Sequence, residues 1–287
     1  MRRKIEINAE GVTLRGWLYT PDDHSSPAPV VVMAHGFSAV KEQYLDRYAD
    51  VFSSAGMCAL VFDHRNFGES DGTPRQEIDP WQQIRDYRHA ITYASLLPEV
   101  DQNCIGIWGT SYSGGHVLVV GAIDRRVKCV VSQVPTISGS ASAQRRIRPD
   151  LVAATLARLN EDRVARFEGK DPMMIPVVAE ESATACALAG EEPWEFFNGS
   201  ADIAPEWCNE ITLRTVEMAR EYEPGVYIAR ISPTPLLMIV ATEDTVTPTD
   251  LALHAYEQGL QPKELVLLEG GHFVPYVDKF EESSGAA

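Results

Sequence analysis

"IWGTSYSGGH", residues Ile107 to His116, sets a serine among small residues, straight after an apolar run and straight before a helical pattern. Gly, Ser and Thr also make ordinary turns, so a bland reading stays open for the stretch alone. The sharper reading is a nucleophile elbow, a tight strand-to-helix turn that lifts one hydroxyl above the end of a sheet. It demands a strand before the motif, a helix after it, and reactive partners at neighbouring strand ends.

The flanking sequence supplies the first two. "CIGIWG" reads as a strand running into the motif, and a helix is expected from about Tyr112 to Ile123. Upstream, "KIEINAEGVTLRGWLYTP" alternates apolar and polar residues around a Glu-Gly turn, the pattern of an antiparallel hairpin. "PVVVMAHG" and "MCALVFD" are continuous apolar strands; helices are expected from about Lys41 to Ala55, ending at Gly56, and from about Pro80 to Leu97. Downstream come the strands "VKCVVSQ", "TPLLMIVATED" and "KELVLLEGGH", the last two separated by a helix in "PTDLALHAYEQG". Continuous apolar strands alternating with helices specify an α/β fold with a mostly parallel sheet covered on both faces.

That rhythm breaks between about Pro135 and Pro233, an interval too long for a structureless connection. Its charged, helix-periodic segments predict a mostly helical cap, residues 136–233, inserted before the last two strands. The core is then residues 1–135 and 234–287. Trp194, Phe196, Phe197 and Trp207 give the cap an aromatic group, either its own core or an apolar wall facing a ligand.

A chain of 287 residues can bury one large core, alone or with an insertion. Its 25 basic and 41 acidic residues leave a net charge of −16, which argues against nucleic acid as a partner, because phosphates need clustered Lys and Arg. "MRRKIEINAEGV" has basic residues but no apolar run behind them, so no secretory signal is expected. No apolar run approaches the ~20 residues of a membrane span. Cys58, Cys104, Cys129, Cys186 and Cys208 form no CxxC pair and read as buried free thiols in a reducing cytoplasm. Only the tail "EESSGAA" is expected to fray.

Ligands collect at the carboxyl edge of a parallel sheet, and four strands deliver notable groups there. They are His35-Gly36-Phe37, Thr110-Ser111-Tyr112-Ser113, Glu243-Asp244 and Gly270-Gly271-His272. Ser, then acid, then His is the chain order of one class of serine enzymes on a parallel sheet. Ser111 can react if His272 removes its proton, and Asp244 can hold that imidazole. Thr110 and Ser113 are alternative hydroxyls, and Glu243 an alternative acid. His64, His89, His116 and His254 lack partners at metal-ligand spacing. The glycines of "NFGESDG" form no dinucleotide fingerprint.

With these motifs the chain resembles the α/β-hydrolases over nearly all of its length outside the cap. "HGFSAVKEQY", "VFDHRNFGESDG", "GTSYSGG" and "ISPTPLLMIVATEDTVTP" resemble the Xaa-Pro dipeptidyl-peptidase-like and polyketide-transferase-like branch. Ser113 departs from G-x-S-x-G, although Ser is small enough for that position. The resemblance places the acid in a D-x-x-x-P turn, Asp244 to Pro248, and the oxyanion donors at the N–H groups of Tyr112 and Phe37. It gives His35 a structural role. Tyr44 matches a position where some relatives carry a phenol near the oxyanion, against a packing role in its helix. Asp63 and Arg65 are expected to fix a loop.

The resemblance implies a serine hydrolase that forms an acyl-enzyme with a small-molecule acyl substrate, carboxylic esters first. Ser111, Asp244 and His272 would be catalytic, and Tyr44, Trp194, Phe197 and Trp207 would contact substrate. It implies no cofactor and no metal. No membrane or nucleic-acid partner is expected; a homodimer stays open. Acyl transfer, thioester cleavage and peptide cleavage stay open as variants of the same chemistry. So does a non-catalytic small-molecule-binding protein on this fold.

Overall fold

The expected hairpin forms as β1 (Arg2–Ala9) and β2 (Val12–Tyr19), paired antiparallel with Ala9 opposite Val12. Its two turn residues, Glu10 (φ 56°) and Gly11 (φ 90°), both adopt positive φ, the turn whose twist matches that of the strands. The computed structural model describes residues 1–22, 27–181 and 185–287.

The elements then follow as β3 (Ala28–Ala34), α1 (Leu45–Ser54), β4 (Cys58–Phe62), α2 (Pro80–Ser95), β5 (Val100–Thr110), α3 (Tyr112–Ile123) and β6 (Val127–Gln133). An insertion carries α4 (Gly139–Arg146), α5 (Val152–Phe167), the short β7 (Met174–Ile175), α6 (Glu191–Gly199), β8 (Ile211–Thr212) and α7 (Leu213–Glu221). The chain closes with β9 (Leu236–Ala241), α8 (Thr249–Gln258), β10 (Lys263–Leu268) and α9 (Phe280–Ala286). The eight-stranded sheet runs β1-β2-β4-β3-β5-β6-β9-β10. Within this sheet the β1–β2 and β2–β4 pairs are antiparallel and the rest parallel; β7 and β8 form a separate antiparallel pair.

The unbroken apolar strands follow from a sheet buried on both faces. Along β3, Val30, Val32 and Ala34 pack into one hydrophobic cluster with Tyr87 of α2 and Val117 of α3. The intervening Val31 and Met33 pack into the other, with Tyr48 of α1, Trp108 and Phe280 of α9. Among the described residues no helix is long and apolar enough to cross a membrane.

Three local expectations fail. The first helix starts at Leu45 rather than near Lys41, because Tyr44 stands in the left-handed region (φ 69°) and Lys41 is held elsewhere. The lysine ammonium is buried, 2.7 Å from Asp63 and 2.8 Å from Glu69. The tail does not fray: α9 buries Phe280 and Ser283, and the Ser283 hydroxyl lies 2.9 Å from the Tyr48 hydroxyl. The five cysteines are free as expected, yet only Cys58 is buried, while Cys104, Cys129 and Cys208 are exposed. Cys104 lies in the exposed stretch Gln102 to Cys104 near the start of β5.

Candidate active site

Ser111 stands at the β5–α3 junction with φ 56° and ψ −114°, a conformation that costs a non-glycine residue about 1–3 kcal/mol. The strain is held by packing on both sides of the turn. A Cβ on Gly109 would lie 2.1 Å from the Ser113 carbonyl oxygen, and one on Gly36 would lie 2.8 Å from the Ser111 Cβ. Small residues are therefore required where α3 meets β5 and where the β3 loop passes the serine. The Ser111 amide donates to Gln133 O at 2.8 Å, which fixes the turn to the next strand.

The Ser111 Oγ lies 2.9 Å from His272 Nε2, and His272 Nδ1 lies 2.7 Å from Asp244 Oδ2. All three residues are buried. This network assigns the neutral tautomer: Nδ1–H donates to the carboxylate, leaving Nε2 to accept the serine proton. The two alternative hydroxyls are engaged elsewhere. Ser113 donates to His35 O at 2.5 Å and lies 2.8 Å from His64 Nε2. Thr110 is bonded to the Tyr276 hydroxyl and accepts from Gln133 Nε2 at 3.1 Å. Ser113 thus departs from the usual glycine and ties α3 to the end of β3.

The choice between the neighbouring carboxylates is geometric. Asp244 is buried and Glu243 is exposed. Asp244 Oδ1 accepts from the amides of Val246 (2.9 Å) and Thr247 (2.7 Å), a side-chain turn that suits the short Asp side chain. Thr247 is a member of this group that sequence reasoning missed. Its Oγ1 lies 2.8 Å from Asp244 Oδ2 and 3.2 Å from His272 Nδ1. Its signal was present: an Asp followed three residues later by Thr, just before a proline and a helix.

His35 is buried and its pKa falls to about 4 through desolvation, so it stays neutral. Its Nε2 accepts from the His64 amide at 3.1 Å, and Nδ1 donates to Gly36 O at 3.0 Å. The Phe37 N–H lies on the far side of that same planar peptide. It therefore points away from His35, and it has no acceptor among the described residues. Tyr112 is the first residue of α3, where a helix leaves its N–H without an internal partner. Both residues line the same cavity as Ser111 and His272.

That cavity encloses about 380 Å³ between the strand ends and the insertion. Of the aromatic side chains expected to contact substrate, only Phe197 reaches its wall. Tyr44 instead lines a separate space of about 230 Å³ with Glu192, Glu195 and Val277. Trp207 stacks behind Phe197, ring centres 5.0 Å apart, and Trp194 packs against the hydrophobic core. Helix geometry explains the sorting: Pro193, Phe196 and Phe197 share the face of α6 toward the cavity, and Trp194 points off it. Phe196 stacks on Phe273 at 4.3 Å, an inter-element pair that no local pattern announces. Glu192, also from α6, accepts from the Phe273 amide at 3.1 Å and so fastens the insertion to the His272 loop.

Asp63 and Arg65 serve the loop, as expected. Asp63 accepts from the Lys41 amide at 2.8 Å as well as its ammonium, and Arg65 forms a two-pronged pair with Asp86 at 2.7 and 2.5 Å. Glu42, Asp63 and Glu69 bring three carboxylates together, but the Lys41 ammonium sits among them at 2.7, 2.7 and 2.8 Å.

Comparison with known proteins matches residues 29–279 to a family described as the alpha/beta hydrolase fold. A thiohydrolase of Eupenicillium brefeldianum is 32% identical over 277 residues, covering 94% of this chain and 87% of the relative. The polyketide transferase grgF of Penicillium is 31% identical over 273 residues, 94% and 89% of the two chains. The crystal structure of GrgF from Penicillium sp. sh18 superposes with a TM-score of 0.84 at 30% identity, covering 98% of this chain and 94% of that one. With the family match spanning most of its length and relatives of this kind along nearly all of it, the chain belongs to the α/β-hydrolase fold family, in its polyketide-transferase-like branch.

Proposed function

We propose that this chain is a serine hydrolase that carries an acyl group on Ser111, with thioesters and activated esters as its substrates. The hydrogen-bonded run from Ser111 Oγ through His272 to Asp244 at 2.9 and 2.7 Å, opening on a 380 Å³ cavity, carries the reading. Ser111 Oγ attacks the acyl carbonyl while His272 Nε2 takes its proton. The N–H groups of Phe37 and Tyr112 receive the oxyanion. The carbon–sulfur or carbon–oxygen bond then breaks, and His272 returns the proton to the leaving group. A water repeats the sequence to free the acid. Residues 136–233 act as a cap over a core of 1–135 and 234–287, in a reducing cytoplasm that suits five free thiols.

Thioesters come ahead of oxygen esters because relatives aligned over more than nine-tenths of this chain carry the name thiohydrolase. The test is a matched panel: oxygen ester, thioester and amide of one acyl group, together with fluorophosphonate labelling. Labelling at Ser111 with thioester cleavage above ester cleavage is the expected result; an unlabelled serine sinks the reading. Transfer to an alcohol or amine is the second reading, favoured by the relatives named polyketide transferase and acyltransferase. A saturable transfer product at millimolar acceptor, exceeding free acid in water, would establish it.

The wall of the cavity makes a separate prediction. Phe196→Ala should change the preference between long and short acyl chains on the order of tenfold, the scale of an apolar contact in a pocket. Trp194→Ala, off the cavity face, should leave that ratio within twofold. Relative rates across an acyl-length series decide it, and equal shifts in both variants would remove the distinction.

A further inference from the structure

The chain carries 41 acidic and 25 basic residues, yet the cavity beside Ser111 and His272 reverses that balance. Among the described residues lining it there is no Asp or Glu, and there are three arginines: Arg146, Arg158 and Arg220. Each sits one helical turn from another lining residue: Ser142 before Arg146, Thr155 before Arg158, Val216 before Arg220. Three- and four-residue spacing sets each arginine on the cavity face of α4, α5 and α7. α7 packs against both α4 and α5, which makes the three faces neighbours.

The arginines also lack the partners their neighbours have. Elsewhere in the insertion, Arg145 pairs with Asp250 at 2.5 Å, Arg148 with Asp150 at 2.7 Å and Arg166 with Asp162 at 2.8 Å. Arg163 pairs with Glu217 and Arg214 with Glu77. Arg146, Arg158 and Arg220 form no ion pair among the described residues. Arg146 donates only to the Val246 carbonyl, and Arg158 Nε lies 3.3 Å from Met173 Sδ. Arg146 is exposed, and its pKa is lowered by desolvation against the opposing pull of Asp244 and Tyr112. Arg158 and Arg220 are half-buried on the cavity wall, so an anion entering this largely apolar space would meet charged donors that no carboxylate of the wall already occupies.

We propose that the substrate bears an anionic group, a carboxylate or phosphate remote from the scissile carbonyl, held by Arg158 and Arg220 with Arg146 beside them. This rests on the acyl-enzyme reading above and names the substrate class of the same site. The anion has two chemical sources: a carboxylate at the far end of the acyl chain, or a phosphate on the leaving thiol. Charged hydrogen bonds of this kind correspond to roughly tenfold to a hundredfold in affinity.

Two substrate pairs separate the sources. The adipic acid monothioester of N-acetylcysteamine is compared with its methyl ester, and hexanoyl-coenzyme A with hexanoyl-N-acetylcysteamine. In the wild type, kcat/KM should favour the anionic member of one pair by roughly tenfold or more. Arg158→Gln and Arg220→Gln should each shrink that ratio toward one, and Arg163→Gln, on a residue paired with Glu217, should not. A ratio is independent of how much of a variant folds. A binding arm uses Ser111→Ala protein titrated with the monomethyl and dimethyl esters of suberic acid and with coenzyme A. It reads anion recognition even where no substrate is turned over, so the two readings fail separately. Ratios near one for both pairs, with equally weak binding of charged and neutral probes, would overturn the proposal. So would an anionic preference that survives both arginine substitutions.

Discussion

Ser111→Ala and His272→Ala are each expected to lower kcat on the order of 10⁶-fold on any ester or thioester the wild type cleaves. The double variant should lose little more than either single one. Non-additivity is the diagnostic feature: the hydroxyl is a poor nucleophile without a base at 2.9 Å, and the base has no proton to take without the hydroxyl. Both variants should keep the fold. Alanine retains the Cβ that Gly36 accommodates, and Ser111 anchors the turn through its backbone amide rather than its hydroxyl. Thermal unfolding checks that point. Near wild-type turnover in purified Ser111→Ala, or losses that add in the double variant, would move the chemistry elsewhere.

Those parts of the architecture that local patterns encode are legible in the chain itself. Continuous apolar strands alternating with helices predict β3, β4, β5, β6, β9 and β10, and α3 falls on Tyr112–Ile123 as expected. Ser111, Asp244 and His272 can be nominated because each lies within four residues of the end of such a strand. Their meeting is a property of topology: β6 lies between β5 and β9, and β10 lies beyond β9, so residues more than a hundred positions apart share one edge.

What is not legible depends on partners distant in the chain. The sequence around Lys41 looks helical, but the ammonium is drawn into a buried carboxylate cluster with Asp63 and Glu69, and the helix begins four residues later. "EESSGAA" looks frayed by composition, yet Ser283 meets Tyr48 and Gln133 at 2.9 and 2.6 Å. Among the aromatics of the insertion, composition suggests a wall, but the face of α6 toward the cavity decides membership. Trp207 stacks behind Phe197, whereas Phe196 reaches Phe273 next to His272. The three unpaired arginines are equally hidden, since interleaved charges in sequence look neutralised until helix faces separate them.

The sharpest discrimination the site allows is between two adjacent acids. Asp244→Asn should lower turnover on the order of 10⁴-fold, the scale of the same change in serine proteases. Asparagine keeps a carbonyl oxygen for the amides of Val246 and Thr247, so the loop that Asp244 organises should persist. Its NH₂ would then face His272 Nδ1 and favour the tautomer with the proton on Nε2. That tautomer cannot accept the Ser111 proton. Thr247, 2.8 Å from the carboxylate, holds the group in place but supplies no negative charge to balance an imidazolium. Glu243→Gln should cost no more than about twofold to threefold, because its side chain is exposed and only its backbone amide is engaged, to Gly270 O at 2.9 Å. Steady-state kinetics on one activated ester, with unfolding temperatures for each variant, decides between them. A greater loss from the Glu243 change would transfer the acid role to the exposed neighbour. It would then require the His272 loop to rearrange when substrate binds.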